Sequence, residues 1–337
     1  MLKPLKWIAA SALTLAVAGA AFAQNPIVIK FSHVVAPDTP KGQAADYFRK
    51  LVDERSHGTM KVEVYPNSVL YKDKEEMEAL QLGAVQMLAP SLGKFGPLGV
   101  RQFDVFNLPF IFDDEAQAER VMNGPIGQGL LQKLDAKGLT GLAYWNNGFY
   151  VMTANKPLLH VADFKGMKMR IQSSKVSEAE IRALGGNPQV LAFSEVYQAL
   201  QTGVVDGADY PTLSNLYTQK IYEVQKDITL SNHSYLGYGV IMNKKFWDGL
   251  KPEQQAIIRS AMKDATALNN KLAKQETEDM IRKIKATGKT TLHTLTPDEV
   301  KEWKKAMVPV HNQMAGRVGR DLIDAIYKET GFDPHAK

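Results

Sequence analysis

The chain has 337 residues, 45% of them hydrophobic and 23% charged, which are the proportions of a globular protein of about two ordinary domains. Its 41 Lys+Arg and 36 Asp+Glu are scattered, with no clustered basic stripe, and this argues against a nucleic-acid surface. It has no cysteine, so disulfide scaffolds, zinc ribbons, thiol catalysis and iron–sulfur clusters are excluded.

Residues 1–23 read as a secretory signal peptide. Lys3 and Lys6 open it, an apolar run extends from Trp7 to Ala18, and Ala21-Phe22-Ala23 supplies a small-x-small cleavage site. An apolar stretch of about a dozen residues falls short of the roughly 20 that a membrane span needs. The expectation is an exported chain that is soluble after cleavage, relying on buried area alone for stability.

Ile27 to Ser32 has the pattern of a strand. Thr39 then caps a helix with Pro40 at its first position; Ala44, Tyr47, Phe48, Leu51 and Val52 form its apolar face and Gly58 ends it. Lys61 to Tyr65 alternates like a half-buried strand. Asp73 and Glu76 read as a capping box for a helix that stops at Gly83, and Ala84 to Ala89 reads as a short buried strand. This alternation predicts the α/β class with a largely parallel sheet. The cluster from Leu108 to Phe112 reads as packing.

Met167 to Ile171 is the next strand, with Lys168 and Arg170 on one side. Arg170 reads in one of two ways, as a carboxylate clamp at a cleft or as half of an ordinary salt bridge. Ser194 is placed to cap a helix over Glu195 to Thr202, with Phe193 either facing a ligand or packing in the core. His33, just after the first strand, is either a ligand donor or a satisfied turn histidine.

An internal echo links the two halves. Ala79-Leu80-Gln81-Leu82-Gly83-Ala84-Val85 recurs as Ala199-Leu200-Gln201-Thr202-Gly203-Val204-Val205, in both cases a helix end, a glycine stop and a strand start. Two lobes built on the same unit would deliver Ala89-Pro90-Ser91 and Asp209-Tyr210-Pro211 to opposite walls of one cleft, beyond the carboxyl ends of their strands. Pro252 to Lys285 contains no internal proline or glycine. It reads as one helix about 50 Å long or as two helices broken near Thr277. Thr296-Pro297-Asp298-Glu299 is a capping box for the last helical region.

No nucleophile elbow, phosphate loop, dinucleotide fingerprint or His-Glu-x-x-His pair occurs, and no two of the seven histidines stand at metal-ligand spacing. Catalysis, cofactors and metal are therefore not expected.

Several segments together resemble the solute receptors of tripartite ATP-independent periplasmic (TRAP) transporters, C4-dicarboxylate-binding branch. They are Tyr65-Pro66-Asn67-Ser68, Trp145-Asn146-Asn147-Gly148-Phe149, Asn155-Lys156-Pro157, Gly166-Met167-Lys168-Met169-Arg170, Val205-Asp206-Gly207, Tyr217-Thr218-Gln219-Lys220 and Asn243-Lys244-Lys245-Phe246-Trp247. The resemblance implies a two-lobed, type II-like periplasmic binding protein with a cleft between the lobes and a long helix spanning both. Lobe I would hold residues 24–147 plus 237–275, and lobe II residues 148–236 plus 276–337. The receptor, a periplasmic monomer and not an enzyme, would enclose an organic acid anion such as succinate, malate or fumarate and deliver it to the membrane permease.

The carboxylate-gripping arginine of that family falls on Arg170, its aromatic contact on Phe193, a first-strand polar contact on His33, a loop contact on Lys72 and a further wall on Ser91. Two departures bear on the substrate. Tyr150 stands where the branch usually carries Lys or Arg, and Tyr210 where it carries Asn. Exchanging a cation for a phenol removes a charge-assisted hydrogen bond of about 1.5–3 kcal/mol. A hydroxy, keto or aromatic monocarboxylate is the alternative ligand on this ground. The alternative classes are an exported hydrolase and the receptor of an ATP-driven importer, and an unbroken helix from Pro252 favours the TRAP reading over the latter.

Overall fold

The computed structural model describes residues 25–335, so the signal-peptide segment lies outside the described residues. Among the described residues, eleven strands form two sheets: β1 (Ile27–Ser32), β2 (Met60–Tyr65), β3 (Met87–Leu88), β4 (Leu139–Phe149), β5 (Val151–Ala154), β6 (Lys168–Ile171), β7 (Asn187–Val190), β8 (Gly207–Tyr210), β9 (Asp227–Leu230), β10 (Tyr235–Asn243) and β11 (Thr291–Thr294). The first sheet has the order β2-β1-β3-β10-β4 and centres lobe I; the second, β11-β9-β5-β8-β6-β7, centres lobe II.

Each sheet is mixed rather than largely parallel. β1 runs parallel to β2 and β3, while β10 is antiparallel to both β3 and β4. In lobe II, β6 is parallel to β7 and β8, and β5 is antiparallel to β8 and β9. The antiparallel members are the crossing strands. β4 passes into β5 through the single residue Tyr150, and β9 passes into β10 through residues 231–234. The two crossings run side by side in opposite directions: Tyr235 pairs with Phe149, and the Tyr150 N–H donates to the Ser234 carbonyl at 2.9 Å.

Local signals hold where they depend on backbone chemistry alone. Thr39 accepts from the Gly42 N–H and Pro40 opens the helix Pro40–Arg55. The capping box at Thr296 and Glu299 is formed in full. The echoed segments have the same local geometry. Gly83 and Gly203 take φ of 79° and 72°, left-handed values that an L side chain rarely adopts. Val85 N–H donates to the Ala79 carbonyl at 3.4 Å, just as Val205 N–H donates to Ala199 at 3.3 Å.

The long helix is unbroken from Pro252 to Thr287, 36 residues and about 54 Å, and closes on Gly288 at φ 64°. Its Ile258, Ala261, Met262 and Ala265 pack into the core of lobe I, and its Met280 and Ile284 into that of lobe II. Midway, Asn269 is fully buried and donates to the Asn146 carbonyl on β4 at 2.8 Å, and Trp145 donates to Thr266 Oγ1 at 2.9 Å. The helix is thus fixed to the crossing strand where the lobes meet.

Three further expectations change. Asp73 is the first residue of the helix Asp73–Leu82 and not its cap; Lys72 holds the cap position without a side-chain bond, because the Asp73 carboxylate is used elsewhere. Ser194 caps nothing: Phe193–Glu195 forms a 3-10 turn before the short helix Val196–Gln201. Residues 276–337 do not all belong with lobe II. Trp303 and Met307 pack there, but Val310, Val318, Ile323 and Ile326 join Phe103, Phe106 and Leu130 of lobe I. A capping box marks where a helix starts and carries no information about which lobe its apolar stripe will meet.

Candidate ligand-binding site

Arg170 lies on β6 with neighbours on both sides, β7 and β8, and is 1% exposed, whereas Lys168 on the same strand face reaches solvent. Its Nε and Nη2 both donate to the Leu191 carbonyl, at 3.2 and 3.0 Å, which fixes the plane of the guanidinium. Nη1 is buried with no partner. The group is therefore held by a backbone carbonyl and not by a carboxylate, and a buried cation in that state lacks an anion.

It lines a cavity between the lobes with about 330 Å³ of atom-free space. Lobe II contributes Arg170, Gln172, Phe193 and Asn215; lobe I contributes Lys41, Ser91, Lys94 and Tyr238.

The lobe I wall is cationic. Lys41 Nζ donates to the Ala89 carbonyl at 3.0 Å and sits 3.8 Å from the centre of the Tyr238 ring. Burial pulls its ammonium down to about 7, with Glu76 opposing and Lys94 adding to the shift. Lys94 pairs with Asp73. Burial alone would push the Asp73 carboxyl up, but the Lys94 ammonium and its hydrogen bond, the Phe193 N–H and Arg170 hold it below its usual value. Glu76 is pushed up to about 8 by burial, which outweighs the nearby lysines. A neutral Glu76 leaves Arg170, Lys94 and a Lys41 that is protonated only in part near pH 7 lining the cavity against the single charge of Asp73.

Four contacts bind the lobes across this cavity. Ser91 Oγ donates to Gln172 Oε1 at 2.6 Å, and the Phe193 N–H donates to Asp73 Oδ2 at 2.7 Å. Asn215 Nδ2 donates to Tyr238 Oη at 3.3 Å, and Lys72 Nζ meets Glu195 Oε1 at 2.6 Å. The arrangement is that of lobes closed on each other.

The residues singled out in the sequence divide accordingly. Arg170, Phe193 and Ser91 line the cavity. Tyr150 stands behind the wall, its hydroxyl accepting from Gln172 Nε2 at 2.6 Å. Tyr210 is buried against Phe193, ring centres 5.9 Å apart, with its hydroxyl unpartnered. His33 is buried beside the lining residue Val34; both its ring nitrogens lack partners, and burial, aided by the Lys41 charge, holds it neutral with a pKa of about 3. Lys72 is half exposed at the rim and bonds Glu195, away from the cavity lining. A separate buried cluster, Glu180, Asp209 and His233, also lies outside the lining.

Lys41, Lys94 and Gln172 were not singled out in the sequence. Two had a signal. Lys41 lies three residues before Ala44 and seven before Phe48, on the apolar stripe of its helix, where a lysine is out of place. Gln172 follows Arg170 by two residues and so shares its strand face. Lys94 lies in a short 3-10 turn and offered none.

Comparison with known proteins agrees with this architecture. Residues 31–317 match the family model DctP, bacterial extracellular solute-binding protein, family 7. The chain is 57% identical over 323 residues to the C4-dicarboxylate-binding periplasmic protein DctP of Rhodobacter capsulatus, covering 96% of each. Among solved structures it is similar to a TRAP periplasmic solute-binding protein from Sulfurospirillum deleyianum with bound succinate (TM-score 0.87, 48% identity, 90% of this chain and 99% of that one). It is also similar to one from Pseudomonas aeruginosa with bound L-malate (TM-score 0.82, 42% identity, 86% and 100%). With its paired sheets, twin crossings and spanning helix, the chain belongs to bacterial extracellular solute-binding protein family 7, the solute receptors of TRAP transporters.

Proposed function

We propose that this receptor captures a C4-dicarboxylate such as succinate or malate, with one carboxylate on Arg170 and the other toward Lys41 and Lys94. The observation that carries this reading is the unpartnered, buried Arg170 Nη1 facing a cavity whose opposite wall holds two lysines. With Glu76 neutral and Lys41 protonated, the state that an anion beside it favours, the wall charges sum to two positive, and a dianion cancels them. A monocarboxylate would leave one buried cation uncompensated, at a cost. The names of the Rhodobacter relative and the ligands of the two solved relatives support the same class.

The receptor works by capture and release without conversion, in the periplasm and as a monomer, and the closed form is what the membrane permease recognises. A ligand shifts the lobes only by binding one state better than the other, and contacts drawn from both walls do that. Micromolar affinity corresponds to about −8 kcal/mol, the remainder after ordering costs.

The test is calorimetric titration with succinate, malate, lactate and pyruvate. The dicarboxylates bind at least about tenfold more tightly, and Arg170→Ala abolishes the heat while leaving the circular dichroism spectrum native. Unchanged affinity in that variant, or a preference for the monocarboxylates, overturns the reading. Product formed from any of the acids would restore the hydrolase alternative.

A further inference from the structure

We propose that Glu180, Asp209 and His233 form a structural site for one divalent metal ion of the zinc type, behind the ligand cavity in lobe II. Glu180 comes from the helix Lys175–Ala183, Asp209 from β8 and His233 from the crossing between β9 and β10. Each is at most 1% exposed, and one donor atom from each lies within 4.8 Å of the others.

The case rests on hydrogen-bond accounting. Both Glu180 oxygens, Asp209 Oδ1 and His233 Nε2 are buried without a partner. No lysine or arginine pairs with either carboxylate among the described residues; the nearest side chain is His233, whose Nε2 lies 3.4 Å from Asp209 Oδ1.

The other side of the imidazole assigns its proton. Ser231 Oγ lies 2.7 Å from His233 Nδ1 and, at 3.5 Å, donates its own hydrogen to the Tyr150 carbonyl. The serine oxygen is then free to accept from Nδ1–H, which leaves Nε2 as a bare lone pair aimed at the two carboxylates. Three acceptor groups converge; without an ion, burial beside Asp209 pushes the Glu180 carboxyl well up, so its proton is the one donor the cluster itself supplies, whereas a cation satisfies all three groups at once.

The donor set selects the ion. An imidazole nitrogen with carboxylate oxygens suits zinc better than magnesium or calcium, which prefer oxygen alone. Zinc lies about 2.0–2.2 Å from such donors, so a tetrahedral site separates them by about 3.3–3.5 Å, the spacing of His233 Nε2 and Asp209 Oδ1. Two carboxylates and a neutral imidazole cancel its charge. The Ser231 bond to Nδ1 is the outer-shell contact that orients a ligating histidine. Bound there, the ion would tie a helix and a strand of lobe II to the crossing that leads into lobe I.

The experiment uses purified protein without a histidine tag, stripped with chelator and titrated calorimetrically with zinc chloride in the absence of any organic acid, so its outcome is independent of the ligand assignment. The expected result is one zinc per chain and a raised melting temperature. Uptake is lost in Asp209→Asn and His233→Gln and weakened about tenfold in Ser231→Ala. Absence of stoichiometric uptake overturns the proposal. So does uptake that survives His233→Gln, which would assign the ion to exposed histidines such as His57, His160 or His335. A measurement on the unmutated protein guards against variants that fail to fold. Crystals soaked in zinc show an anomalous peak between the three side chains, and a peak elsewhere, or none, overturns the assignment.

Discussion

Ser91 of lobe I and Gln172 of lobe II are joined by a 2.6 Å hydrogen bond across the ligand cavity, although 81 residues separate them in sequence. Ser91 follows β3, whose partner β10 crosses from the other lobe, and Gln172 follows β6 two residues after Arg170. The bond exists only while the lobes touch, so it contributes to closure.

Ser91→Ala therefore weakens ligand binding. It leaves the buried Gln172 oxygen without its donor, at a cost of about 1–3 kcal/mol, or roughly 5- to 150-fold in affinity. Titration calorimetry reads this directly, and an affinity equal to the parent's would remove Ser91 from the closing contacts.

Lys41→Met separates the two carboxylates. Arg170 is untouched, so monocarboxylate binding falls little, while dicarboxylates lose a charge-assisted contact of about 1.5–3 kcal/mol. Equal losses for succinate and lactate would show that Lys41 does not meet the second carboxylate. The methionine fills the same space against Tyr238 without a buried ammonium, a gain that offsets the lost hydrogen bond to the Ala89 carbonyl.

The pH dependence of ligand-free stability follows from Glu76 and Lys41. Glu76 rises from 4.5 to about 8 on folding, so the folded chain holds a proton that the unfolded chain releases. The stability this contributes is complete below about pH 4.5 and is lost as pH rises through 8. Lys41 falls from 10.5 to about 7; the stability tied to it is present above 10.5 and is lost as pH falls through 7. Together they place a minimum near pH 7–8. Glu76→Gln removes the decline between about pH 5 and 7 in thermal melts. A variant whose melting curve keeps the parent's slope over that range would refute the assignment.

Tyr150→Phe tests whether residue 150 touches the ligand. Its hydroxyl accepts from Gln172 behind the cavity wall, so its loss weakens succinate and lactate binding alike, by about 1–3 kcal/mol from the stranded amide. A changed ratio between the two acids would place the phenol in the cavity itself.

Much of the fold was legible because it is written in short-range chemistry. Thr39 with Pro40, Gly83, Gly203 and the Thr296–Glu299 box all act through backbone groups within four residues, and each stands where its pattern indicated. The strand that carries Arg170 was legible from its alternation and the motif around it. The site as a whole was less so. Asp73 looked like a helix cap, but its carboxylate is drawn to Lys94 and to the Phe193 N–H of the opposite lobe. The resemblance gave Lys72 as a loop contact, and in the structure its ammonium meets Glu195 of the opposite lobe. Partners 120 residues apart leave no local trace.

By itself, the order of residues determined the alternation of strands and helices and the repeated helix–glycine–strand unit, since propensity, capping and periodicity are local; that the helix from Pro252 runs unbroken was settled by its packing on both lobes. Tertiary structure alone decided which charges share the cavity. Lys41, Lys94 and Arg170 come from a helix, a turn and a strand of two lobes. Their meeting depends on crossing strands that bring the lobes together, and on an electrostatic balance among side chains whose separation in space bears no relation to their spacing in the chain.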